Sequence, residues 1–134
     1  MVTSSNNLSL PETGKTILLV DDQPTTLVVM QDALETDEYQ VITAQNGREA
    51  LALYTQHRDK LSLIMTDIRM PDMDGAALIS AVRVHDATLP ILVISGYFDA
   101  ELGEILNQPH VYLLQKAFGL SELLDTVHRI LTEG

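Results

Sequence analysis

Five polar residues in this 134-residue chain sit at the ends of apolar runs. Asp21 and Asp22 follow ILLV, Asp67 follows LIMT, Ser95 follows ILVI, and Lys116 follows VYLLQ. An apolar run that stops abruptly on a polar residue is the pattern of a strand buried on both faces. If such strands are parallel, the residues at their carboxyl ends converge on one edge of the sheet. Three carboxylates brought together there repel one another unless a cation compensates. A divalent ion such as Mg2+ (or Mn2+) suits them, because it prefers octahedral oxygen coordination and takes one or two carboxylates, with water and phosphate oxygens completing its shell. On this reading Asp22 and Asp67 are direct ligands and Asp21 acts largely through water. Taken singly, each residue has a plainer reading: an Asp pair after a strand is commonly a solvated turn, and a lone Ser or Lys is a loop residue.

The elements that must position these residues alternate along the chain. The run from Thr16 to Val20 predicts a first strand, and Pro24 opens a helix with Leu27, Met30 and Leu34 at helical spacing. Tyr39 to Ala44 predicts a second strand; Asn46 and Gly47 then form the turn and cap of a helix with Ala50, Leu53 and Tyr54 inward. A third strand runs from Leu61 to Thr66 and ends at Asp67. After the loop IRMPDMDG, a helix is expected to bury Leu78, Ala81 and Val82. Pro90 to Ile94 predicts the fourth strand, Asp99 to Leu106 a short helix, and Val111 to Gln115 the fifth strand. The last helix is expected to carry Leu120, Leu123, Leu124, Val127 and Leu131 on one stripe. Five strands alternating with five helices predict right-handed crossovers and a parallel sheet covered on both faces, a doubly wound α/β domain. In such folds ligands sit beyond the carboxyl ends of the strands, where the winding reverses.

Composition narrows the classes of function. The length fits one domain with a real core, and 46% hydrophobic against 4% aromatic residues makes that core aliphatic. A formal charge of -11, from 19 acids against 8 Lys and Arg, disfavours direct nucleic-acid binding. The absence of cysteine excludes disulfides and thiolate chemistry and fits a reducing compartment. No apolar run approaches the roughly 18 residues that span a bilayer, and the start MVTSSNNLSLPETGK lacks the features of a signal peptide. No membrane association and a cytoplasmic location are therefore expected. Residues 1–14 read as a disordered tail or linker, and residues 15–134 as the folded domain.

In order and spacing, LLVDDQP, LIMTDIRMPDMDG, ISGY and LQKAF resemble the motifs of two-component response regulator receiver domains. The resemblance covers about Thr16 to Leu131, includes NGREAL in the second helix, and admits a receiver from a hybrid sensor kinase. It implies a flavodoxin-like strand order, 2-1-3-4-5, with helices on both faces. It also implies that Asp67 accepts a phosphoryl group from a phosphohistidine on a sensor histidine kinase or a histidine phosphotransfer protein. Lys116 would then supply a point charge, Ser95 a hydroxyl donor, and the backbone carbonyl of Arg69 a third protein ligand of the metal. Such a domain catalyses its own phosphorylation and dephosphorylation without being an enzyme with turnover on a free substrate. A homodimer through the face formed by the fourth helix, fifth strand and fifth helix is admitted as well.

Other nearby residues read as scaffold. Pro71 and Gly75 shape the loop after Asp67, Asp74 caps the following helix, and Asp72 is solvated. His57, His85, His110 and His128 are too dispersed to suggest a shared metal.

Two positions depart from the family pattern. Receivers usually carry an aromatic switch residue three positions before the lysine, where this chain has Leu113; Tyr112 is adjacent but should face the other way. The lysine is normally followed by proline, often across a cis peptide, where this chain has Ala117. Arg69 and Tyr97, each two positions after a site residue, are placed to flank a phosphoryl group and obstruct water.

The main alternative is a receiver-like interaction module that works without phosphorylation. A phosphatase of the haloacid dehalogenase type would need a DxDxT-like motif after the first strand, which DDQPT does not match. A flavodoxin-type carrier would need a phosphate loop where this chain has two acids.

Overall fold

The computed structural model describes residues 14–96 and 98–133. Strand β1 (Thr16–Val20) leads into helix α1 (Pro24–Thr36), then β2 (Gln40–Ala44), α2 (Gly47–His57), β3 (Leu61–Asp67) and α3 (Gly75–His85). There follow β4 (Ile91–Ser95), α4 (Ala100–Leu106), β5 (Val111–Gln115) and α5 (Leu120–Glu133). The strands form one parallel sheet in the order β2-β1-β3-β4-β5. This is the doubly wound fold, and its winding reverses between β1 and β3. Asp21 and Asp67 therefore end the two strands that flank the switch point.

The central strands are apolar throughout because helices cover both of their faces. Ile17 and Leu19 of β1, with Leu92 and Ile94 of β4, pack against α1 and α5 through Leu27, Met30, Leu34, Leu123 and Val127. The alternate residues Leu18, Val20, Ile91 and Val93 face α2, α3 and α4 through Ala50, Tyr54, Leu78, Val82, Leu102 and Ile105. The edge strands β2 and β5 are only partly buried.

Local signals place the helix starts. Pro24 occupies the first turn of α1, where a missing N–H costs nothing. Asn46 Oδ1 accepts from Glu49 N at 2.8 Å, Asp74 Oδ1 from Ala77 N at 2.9 Å, and Asp99 Oδ1 from Leu102 N at 2.9 Å. Each such cap is worth about 1 kcal/mol.

Several expectations shift in detail. Tyr39 and Pro90 lie just before their strands, and β4 extends to Ser95. Leu53 and Ala81 are half-buried, while Ile79 is buried on α3. On α5 Leu120 is 46% exposed, because as the first residue of the helix it lines an open cleft with Lys116 and Phe118, and the buried stripe runs through Leu123, Thr126, Val127 and Ile130. Residues 1–13 of the expected tail lie outside the described residues. No helix among the described residues is long and apolar enough to cross a membrane.

Candidate functional site

The buried carboxylate of Asp67 is the centre of the strand-end cluster. Its Oδ2 receives a 3.0 Å hydrogen bond and ion pair from Lys116 Nζ, and its Oδ1 accepts from the Arg69 backbone N–H at 3.2 Å. Its carbonyl oxygen accepts from Thr66 Oγ1 at 2.9 Å, so the backbone at this strand end is fixed as well.

Gly75 explains how α3 can begin so close to this point. Its N–H donates to Ile68 O at 2.9 Å, and a Cβ here would run into the carbonyl oxygen of Asp67 and lie 2.9 Å from Ile68 Cα. Gly47, the first residue of α2, lies equally hard against Met73 O of the same loop. Asp72 in that loop is exposed, as expected, and adopts φ 65°, a left-handed conformation that Asp tolerates better than most residues.

Asp21 is nearly inaccessible at 2% exposure and accepts from Gln23 N at 2.8 Å. Burial pushes its carboxyl above the ordinary carboxylate range. The Gln23 bond and Lys116 oppose that shift, while the negative charges of Asp67 and Asp22 reinforce it.

Ser95 is buried at the end of β4, and its carbonyl accepts from Lys116 N at 2.8 Å. That bond joins the ends of β4 and β5 and sets where the lysine side chain departs. The Lys116–Ala117 peptide is cis.

Among the described residues, no group of three or more His, Cys, Asp or Glu side chains is arranged to hold a metal by itself. An ion here would have to complete its shell with backbone oxygen and water. Mg2+ ordinarily binds in that way, and the all-oxygen donor set suits a hard cation.

Tyr112 packs with the cluster under α1 and α5, whereas Leu113 packs with the cluster under α2, α3 and α4. The two side chains take opposite faces, as strand alternation requires. Tyr97 lies outside the described residues. One connection has no signal in the sequence: Arg69 Nη2 donates to Asp99 Oδ2 at 3.1 Å, across 30 residues.

The family model for the response regulator receiver domain matches residues 17–128. The chain belongs to that family. It is a signalling domain of the kind found in two-component response regulators.

Two-component response regulator ARR10 of Arabidopsis thaliana is 35% identical over 86 residues, which are 64% of this chain and 15% of that protein. This chain thus corresponds to a small part of that relative's length. Among solved structures, chemotaxis protein CheY4 of Vibrio cholerae superposes with TM-score 0.77 at 30% identity, covering 87% of this chain and 98% of that one. The fold is also shared with a chain of the CheX–CheY–BeF3–Mg2+ complex from Borrelia burgdorferi, at TM-score 0.80 and 24% identity, covering 87% of this chain and 88% of that one.

Proposed function

We propose that Asp67 is the phosphoryl acceptor of this receiver domain and that it acts with a divalent cation, Mg2+ or Mn2+, held by Asp21, Asp22, Asp67 and the backbone carbonyl of Arg69. The observation that carries this reading is the 3.0 Å contact of Lys116 Nζ with Asp67 Oδ2, at a strand end where Asp21 also lies. The cation would neutralise the oxygens of the incoming group.

A carboxylate oxygen of Asp67 attacks the phosphorus of a phosphohistidine. The new P–O bond forms as the P–N bond breaks, and the imidazole leaves. Lys116 follows the charge from carboxylate to phosphoryl oxygens, and Ser95 offers a hydroxyl donor from the neighbouring strand end. Water later breaks the acyl phosphate, and Arg69 and Tyr97 restrict its approach.

The donor is a sensor histidine kinase or a histidine phosphotransfer protein. A cleft of about 460 Å³ opens beside Lys116, whose ammonium contacts Asp67, and offers such a partner a place to dock. Thr25 and Val29 of α1 line it, with Phe118 and Leu120 on the other side. Of the residues lining it, Val29 and Leu120 are exposed and apolar, as a protein-docking surface requires. The receiver unit spans residues 15–134 and works in the cytoplasm. The face of α4, β5 and α5 is its candidate homodimer surface.

The retention of every acid, the hydroxyl and the lysine favours this reading over a phosphorylation-independent module. The test is incubation with Mg2+ and acetyl phosphate, followed by intact-mass measurement. Addition of one phosphoryl group to the wild type and none to Asp67→Asn is expected. Equal labelling of both proteins, or of neither, defeats the assignment.

A further inference from the structure

Resting on Asp67 as the acceptor, we propose that Arg69 changes partners on phosphorylation, leaving Asp99 for the phosphoryl oxygens and thereby unlatching the first turn of α4. In the resting protein Arg69 bridges the two places. Its backbone N–H donates to Asp67 Oδ1 at 3.2 Å, and its guanidinium donates to Asp99 Oδ2 at 3.1 Å. The other oxygen of Asp99 accepts from Leu102 N at 2.9 Å and caps α4. One carboxylate thus starts the helix and holds the arginine whose backbone touches the acceptor.

Relative strengths decide the direction of exchange. The side chains of Arg69 and Asp99 are 58% and 39% exposed, and a pair so open to solvent is weak. A phosphoryl group offers three acceptor oxygens and more negative charge, and a guanidinium fork can meet it with two parallel bonds. The exchange therefore favours the phosphoryl group. Space for the movement exists in a cleft of about 390 Å³ between the loop after Asp67 and α4, lined by Arg69, Asp74 and Glu101.

The consequence falls on α4 because that helix is lightly anchored. It has 7 residues and buries Leu102 and Ile105. Once Arg69 leaves, Asp99 keeps its cap on Leu102 N but loses the tie that joins it to the loop after Asp67. Lys116 cannot carry the same message, since its partner is Asp67 itself and it stays within the site. The latch thus provides a route from Asp67 to α4 in a chain with Leu113 at the switch position.

The test is amide hydrogen exchange along α4, read by NMR with Mg2+ and beryllofluoride as the phosphoryl stand-in. In the wild type, exchange at Leu102 and Gly103 should rise roughly threefold or more on adding the mimic, the factor that loss of a surface pair supplies. Arg69→Ala should begin with that faster exchange and gain nothing further. Asp99→Asn, which can still cap the helix, should behave alike. Arg69→Lys, with a charge but no fork, should respond less than the wild type.

An Arg69→Ala protein whose α4 still responds by the wild-type factor overturns the latch. So does a wild type in which Ile68 and Lys116 shift with the mimic while α4 does not. If Ile68 and Lys116 themselves stay unmoved in the wild type, the acceptor reading fails and the latch falls with it.

Discussion

Lys116 Nζ lies 3.0 Å from Asp67 Oδ2 although 49 residues separate the two in sequence. The pair is asymmetric: the lysine side chain is 41% exposed and the aspartate side chain 11%. The lysine therefore reaches inward from a solvated position to a carboxylate that burial has already fixed. Lys116→Met should slow phosphorylation by acetyl phosphate by about a hundredfold, the usual effect of losing one donor to developing charge. Mg2+ affinity should not fall in this variant, since at the proposed cation site the lysine would compete with the ion for Asp67. Calorimetric titration checks the second point, and tighter binding by the wild type would count against the pairing.

Asp86 should set part of the acid stability. Burial pushes its carboxyl up, but bonds from Thr88 N at 3.0 Å and Leu89 N at 3.0 Å, together with the Thr88 hydroxyl and Arg83, leave it below its ordinary value of 3.8. A carboxyl depressed in the folded state stabilises fully above its unfolded pKa, and this contribution is lost as pH falls through the folded value. Asp86→Ala should cost about 1–2 kcal/mol at neutral pH from the lost turn bonds. Urea midpoints at pH 7 and pH 3 measure the difference, which should shrink at the lower pH.

Arg83 clips two loops at the end of the sheet opposite the site. Its Nη1 donates to Asp86 O at 3.1 Å and Leu89 O at 2.9 Å, and its Nη2 donates to Pro109 O at 3.2 Å and His110 O at 3.4 Å. Arg83→Met leaves those carbonyls without a charged donor and should destabilise by roughly 2–3 kcal/mol. Phosphorylation kinetics of the folded protein should be unchanged, because none of these contacts reaches Asp67. A selective loss of phosphorylation with an unaltered urea midpoint would contradict this division.

Gly75→Ala should damage both stability and chemistry. The added methyl group meets the Asp67 carbonyl, so the start of α3 or the end of β3 must shift, at a cost of roughly 1–3 kcal/mol. Slower labelling of Asp67 in protein that remains folded by circular dichroism is the expected signature. Gly103→Ala is the control, since its methyl group would meet the Phe98 ring at an ordinary 3.4 Å.

The sequence made the strand ends readable because burial on both faces leaves a sharp apolar-to-polar edge at Val20/Asp21 and Ile94/Ser95, and at Met65/Thr66 one residue before Asp67. Alternation placed Tyr112 and Leu113 on opposite faces for the same geometric reason. The phase at the start of α5 was harder to read. Leu120 fits the helical stripe, but it is 46% exposed at the rim of an open cleft, and periodicity carries no information about where a neighbouring layer stops. The Arg69–Asp99 link and the Arg83 clip were invisible for another reason. One joins single residues 30 positions apart, and the other ends on backbone carbonyls, which every residue possesses. Gly75 was legible as a loop residue, but its contact with the Asp67 carbonyl depends on how closely α3 approaches β3.

The division of the core by the sheet has an implication for how such a protein can diverge. Residues facing α1 and α5 share few neighbours with those facing α2, α3 and α4, and changes that do not touch tend to add independently. Substitutions beneath α1 and α5 can therefore accumulate with little effect on the residues packed beneath α2, α3 and α4.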